Sequence, residues 1–179
     1  MQISGASLLA VPDIKNKSFG EASDQVYNDL EDAADIRDLI DTTPSRAVDQ
    51  CVLNFARDHS TEVKTALVYP PIIYGQGRGQ GNTRSIQIPD LCKTAIEKQQ
   101  AVFVGKGEAR WGNVHITDLS KLVGNLVKAS FAGGNQQDFG NENGLYCPAT
   151  GEIVSKSITH VRNNRILTFI RHGRLLPTP

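Results

Sequence analysis

Cysteine is scarce in this 179-residue chain: Cys51, Cys92 and Cys147 stand far apart, and no C-x-x-C occurs. A disulfide framework and a zinc site of paired cysteines are excluded, and a reducing, cytoplasmic setting is expected. Excess charge is lacking as well. The 19 Lys and Arg residues balance 19 Asp and Glu, so no overall field draws the molecule to nucleic acid. No run approaches the roughly 20 apolar residues of a membrane span. The stretch Ala6-Ser7-Leu8-Leu9-Ala10-Val11 is apolar but short and has no basic residue before it, which argues against a signal peptide. A glycine-rich G-x-x-G-x-x-G turn between a strand and a helix is also missing. Gly75-Gln76-Gly77-Arg78-Gly79-Gln80-Gly81 has the wrong spacing and lacks the Lys-Ser/Thr of a phosphate loop. It reads as a mobile loop near a site mouth.

What is present alternates between strand and helix patterns. Gln2-Ile3-Ser4-Gly5-Ala6-Ser7 looks like a strand ending in a small-residue loop, and 12–22 is polar and loop-like. A helix is expected over 23–39, with Ser23 or Asp24 as its cap. After the break at Thr42-Thr43-Pro44-Ser45, a second helix carries Ala47, Val48, Cys51, Val52, Phe55 and Ala56 at helical spacing. Strands are expected at 63–69, 101–105, 111–116 and 144–147, with one helix from Pro89 to about Lys98 and another capped by Thr117. The acidic run from Asp29 to Asp41 reads as a solvated helix face, and the tail carries Arg162, Arg165, Arg171 and Arg174.

This alternation implies a parallel sheet covered on both faces. Ala66-Leu67-Val68 is continuously apolar, as a doubly covered strand requires. Leaving such side chains uncovered forfeits about 1.5–3 kcal/mol each, against a domain stability of only about 5–15 kcal/mol. These strands therefore presuppose more strands than the chain supplies. The expected fold is α/β, the C-terminal part of a doubly wound, Rossmann-type parallel sheet plus a small substrate-binding lobe. Residues 1–153 form that partial domain, its nucleotide-binding half absent, and 154–179 form an atypical tail.

Two segments carry a family resemblance. Leu67-Val68-Tyr69-Pro70-Pro71-Ile72-Ile73-Tyr74-Gly75-Gln76-Gly77 resembles the strand-Arg-Pro-x-x-[Val/Ile]-Tyr-Gly-Pro-Gly segment of the extended short-chain dehydrogenases, the NAD-dependent epimerase/dehydratase group. Phe103 to Leu119, with Trp111-Gly112-Asn113-Val114-His115-Ile116-Thr117-Asp118, resembles that family's later V-H-V-x-D segment, in the same order and spacing. The likeness covers most of residues 1–153 and is nearest to atypical fungal members. It implies an NAD(P)-dependent oxidoreductase acting on a carbonyl or hydroxyl group of a small molecule, with oligomeric state left open. Tyr69, Pro70, Pro71, Ile72 and Ile73 would then pass the cofactor, and Tyr74, Arg110, Asn113 and His115 would meet substrate.

The family's chemistry uses a Ser or Thr hydroxyl and a Tyr-x-x-x-Lys pair, whose phenolate exchanges a proton. Ser4 or Ser7 supplies the hydroxyl here. The best register puts Thr42 at the Tyr position and Arg46 at the Lys position. Thr cannot become a phenolate, so the pair is absent. Ser4, Ser7 and Arg46 are the candidate catalytic residues. Two further readings stay beside the oxidoreductase: a catalytically silent Rossmann module that binds a dinucleotide or senses redox state, and a fragment without function. His115 between Val114 and Ile116 also reads as a packed structural histidine, and Asp118 as an acid favoured by a helix start.

Overall fold

A computed structural model describes residues 1–131, 139–154, 156, 160–162 and 165–167. The chain is α/β, built on a parallel sheet with helices. β1 (Gln2–Ile3), β2 (Leu67–Val68) and β5 (Leu145–Tyr146) form a three-stranded parallel sheet in the order β1-β2-β5. A second sheet pairs β3 (Ile72–Tyr74) in parallel with β4 (Arg110–His115), and β4 antiparallel with β6 (Gly151–Val154). β7 (His160–Arg162) and β8 (Arg165–Leu167) make a separate antiparallel pair. The remaining tail residues, including most of 166–170, lie outside the described residues.

β2 shows why its apolar sequence is needed. Successive side chains of a strand point to opposite faces. Leu67 and Tyr69 enter one core with Leu8, Ile36, Ile40, Leu53 and Leu145. Val68 enters a second core with Val114 and Leu119, flanked by Ile73, Leu122 and Leu126. Helices thus cover both faces, as expected. α2 (Ala33–Asp41) contributes Ile36 and Ile40, one helical turn apart, and α3 (Ala47–Asp58) contributes Leu53 to the first core. α5 (Ile116–Phe131) supplies the second.

Several local expectations are corrected. Residues 12–22 are not all loop: α1 (Val11–Asn16) forms there, with Pro12 in its first turn and Lys17 at φ 57° closing it in the left-handed region. The helix expected over 23–39 begins only at Ala33; ahead of it the Asn28 side chain accepts the Leu30 and Glu31 N–H groups and holds a turn instead. The strand at 63–69 shrinks to Leu67–Val68, and none forms at 101–105. α4 (Gln87–Lys98) matches its expected end and is closed by Gln99 at φ 52°. In α3 the inward face is Asp49, Leu53 and Ala56, while Val48 and Phe55 stay exposed. The helix is rotated from the expected face because Asp49 is drawn inward by polar partners described below.

The loops at 18–21 and 103–108 interlock through two glycines. Gly20 and Gly105 both have positive φ, 77° and 54°. A Cβ on Gly20 would sit 1.9 Å from the Val104 carbonyl oxygen, and one on Gly105 would sit 2.2 Å from the Phe19 carbonyl oxygen. The Glu108 N–H donates to the Gly20 carbonyl at 2.8 Å. Only glycine permits both this backbone conformation and this approach. Gly20→Ala should therefore lower unfolding free energy by about 2 kcal/mol or more. Gly124 lies within α5 with nothing within 4 Å of an added Cβ, so Gly124→Ala should raise it by about 0.5–1 kcal/mol. Urea titrations of the two variants check both signs.

Candidate functional site

The carboxyl ends of parallel strands are where doubly wound sheets hold ligands. Here backbone pairing runs slightly past the strands: the Ser4 N–H donates to the Val68 carbonyl at 2.8 Å and the Ala6 N–H to the Pro70 carbonyl at 3.3 Å. The turn at Ala6–Leu8 then carries Ser7 over the sheet edge. On the far side of the break, Pro44–Arg46 forms a short 3-10 turn that leads into α3 and delivers Arg46 and Asp49 to the same place.

These side chains form a connected polar cluster. The Ser4 hydroxyl donates to Asp49 Oδ2 at 2.9 Å. The Arg46 guanidinium lies 3.9 Å from the same oxygen and donates from Nη2 to Ser7 Oγ at 2.8 Å. Asp49 is only 3% exposed and sits in the first turn of α3, where the helix dipole favours negative charge. Ser7 is exposed and Ser4 half-buried. The two hydroxyls therefore differ. The Ser4 proton is committed inward, whereas Ser7 accepts from Arg46 and keeps its own proton for an outside acceptor. Ser4, Ser7 and Arg46, the three candidates named from the resemblance, lie together here around Asp49.

Tyr69, expected at a cofactor, is fully buried in the first core. Burial and then the Asp49 carboxylate push its phenol above the ordinary tyrosine range, with Arg46 opposing weakly. The Asp49 carboxylate lies close enough to act on the hydroxyl both by its charge and as a weak hydrogen-bond acceptor, although the contact falls short of good hydrogen-bond geometry. The Thr43 hydroxyl and Arg46 Nε are likewise buried without partners. Thr42, at the position where the resemblance calls for Tyr, is exposed and donates back to the Asp38 carbonyl at 2.6 Å.

Pro70 and Ile72 are buried, and Pro71 and Ile73 half-buried. The two segments that carry the resemblance become neighbours: Ile72 pairs with Asn113, Ile73 with Val114 and Tyr74 with His115. The Tyr74 and His115 rings meet edge to face at 5.1 Å. His115 Nδ1 accepts the Thr117 N–H at 3.2 Å, which assigns the neutral ring's proton to Nε2. His115 rather than Thr117 thus caps α5, and a Cβ on Gly75 would lie 2.3 Å from its Nε2. Asn113 is buried. Arg110 stands at the opposite end of β4, exposed and 3.5 Å from Glu152. No hydrogen bond or ion pair among the described residues joins Tyr74, Asn113, His115 or Arg110 to the Ser4–Asp49–Arg46–Ser7 cluster.

Asp49 was not a candidate from sequence. The readable signal was its spacing with Leu53 and Ala56, at i, i+4 and i+7, on the buried side of α3. Asp29, expected on a solvated helix, instead accepts the Cys147 N–H at 2.7 Å. A cavity of about 220 Å³ lies at the amino ends of the strands, against Met1, Thr65, Ala66, Leu126 and Val127, away from this cluster. Among the described residues no group of three His, Cys, Asp or Glu could hold a metal, and no helix is long and apolar enough to cross a membrane.

Against known proteins, the chain is similar to the oxidase ucsJ of an Acremonium species, 30% identical over 107 residues. That stretch is 60% of this chain but only 31% of the oxidase, so the likeness spans less than a third of that protein. No family model and no solved structure matches the chain.

Two outcomes follow from the buried groups. Tyr69→Phe removes a hydroxyl without a well-formed hydrogen bond and keeps the packed ring, so thermal melting should show stability unchanged or raised by about 1 kcal/mol. A clear loss would show that the hydroxyl is satisfied after all. Burial, then the Asp29 charge, push the Cys147 thiol from 9.0 up to about 12. The unfolded chain therefore releases this proton first, and stability should fall as pH rises from about 9 towards 12. In the native chain at pH 8, mass spectrometry after iodoacetamide should find exposed Cys51 alkylated and Cys147 protected until urea is added.

Proposed function

We propose that this chain is part of an oxidoreductase of the short-chain dehydrogenase kind, acting with NAD or NADP on a carbonyl or hydroxyl group of a small molecule. The observation that carries the reading is the Ser4–Asp49–Arg46–Ser7 cluster at the carboxyl end of the parallel strands β1 and β2. An exposed hydroxyl backed by a guanidinium is suited to hydrogen-bond a substrate oxygen as charge develops on it. The similarity to an oxidase supports the general chemistry. The side-by-side placement of β3 and β4 supports the family resemblance, since both matching segments meet there.

The fit to a dinucleotide is partial. The sequence has no glycine-rich strand-to-helix turn to cradle a pyrophosphate. What these residues fit is the nicotinamide end, beside the half-buried Pro71 and the exposed Ser7.

A specific observation favours a second reading, a catalytically silent module that binds a nicotinamide ligand. Thr42 has no phenol, and burial raises the pKa of the Tyr69 phenol so that it stays protonated near neutral pH, so neither provides a phenolate.

Saturation-transfer NMR with nicotinamide mononucleotide tests both readings on the full chain. Saturation of the nicotinamide ring protons is expected, weakened in Ser7→Ala. Its absence at millimolar ligand would overturn the assignment. Reduction of an aldehyde or ketone panel by NADH or NADPH separates the enzyme from the silent module. For the enzyme, Ser7→Ala should lower turnover by about 10²-fold or more.

A further inference from the structure

We infer that Asp49 is the positioning residue of this site, acting through Arg46 to aim the Ser7 hydroxyl outward. The inference rests on the oxidoreductase reading for its functional consequence and on geometry for its substance. Arg46 comes from a three-residue 3-10 turn, not from the body of a helix. Its long side chain must be immobilised by contacts, since a free arginine samples many rotamers. Among the described residues its guanidinium makes one hydrogen bond, to Ser7, and its buried Nε has no partner. The charge that faces it is Asp49, 3.9 Å away, with side-chain exposures of only 16% and 4% for the pair. At that burial salt and water screen the attraction little.

Asp49 is itself held. The Ser4 hydroxyl donates to the same oxygen that faces Arg46, and the first turn of α3 supplies a positive dipole end. The buried Tyr69 hydroxyl faces the same carboxylate. The polarity of the chain therefore runs one way: Ser4 donates to Asp49, Asp49 fixes Arg46, and Arg46 donates to Ser7. The Ser7 proton is the one left over, and it points to a ligand group that accepts a hydrogen bond. Removing the Asp49 charge should leave Arg46 free to rotate and Ser7 without a fixed direction.

Asp49→Asn, Ser4→Ala and Ser7→Ala in the full chain test this. Hydrogen exchange at the Arg46 Nε–H, followed by NMR, reads the positioning without any ligand. Exchange should accelerate by about tenfold or more in Asp49→Asn, less in Ser4→Ala, and hardly in Ser7→Ala. Unchanged Arg46 exchange in a folded Asp49→Asn would overturn the inference. Should Asp49→Asn fail to fold, Asp49→Glu keeps the charge with a displaced carboxylate and is expected to fold with faster exchange; unchanged exchange there counts equally against it. In the second arm, nicotinamide mononucleotide saturation should weaken in both Asp49→Asn and Ser7→Ala. Weakening in Ser7→Ala alone would also overturn the role of Asp49. Absence of any saturation in the unaltered chain would sink the functional reading, while the exchange arm would still decide Asp49.

Discussion

The structure hangs on one short strand that is paired on both sides and then forbidden to continue. Leu67 and Val68 bond to β1 on one edge and β5 on the other, and their side chains enter opposite cores. Pro70 and Pro71 follow, and a proline has no N–H to offer a ladder. The chain must leave the first sheet there, and it re-forms as β3 in a second sheet. The strand end, the turn after β1 and the start of α3 are consequently gathered at one place. Polar groups that lie far apart in sequence meet there because the backbone has no other route.

Around that strand end the cluster combines low exposure with one-directional hydrogen bonding. A buried carboxylate is costly unless it is paired and bonded. Asp49 meets that condition with a hydroxyl, a guanidinium and a helix start. Its placement also explains why α3 turns Val48 and Phe55 to solvent although they look like a core stripe. The row that faces the core is Asp49, Leu53 and Ala56, and Val48 and Phe55 lie off that row.

The same contrast explains which parts were legible in the sequence. The doubly covered strand was readable because three consecutive apolar residues need cover on two faces, and cover is what they have. The end of α4 and the body of α5 were readable from helical periodicity. The late start of the helix expected over 23–39 was not, since it depends on the Asn28 side chain taking the backbone N–H groups of Leu30 and Glu31. The cap of α5 is His115, not the expected Thr117: its acceptor is an imidazole, a less common cap than a hydroxyl or carboxylate. Ser4, Ser7 and Arg46 could be named only through the family resemblance, which supplies the register. Asp49 could not, because one acid in the first turn of a helix ordinarily needs no explanation beyond the dipole.

The sequence by itself determined the α/β class, the prolines that end β2, and the absence of a Tyr-x-x-x-Lys pair and of a pyrophosphate turn. These are properties of residue type and local spacing, which no folding can alter. Tertiary structure alone decided that Ser4 faces inward and Ser7 outward, that Arg46 reaches across 39 positions to a serine, and that Asp49 lies at the centre. Those depend on which face of a helix meets a sheet. That choice is made by the sum of contacts over the whole fold, and periodicity along one segment does not contain it.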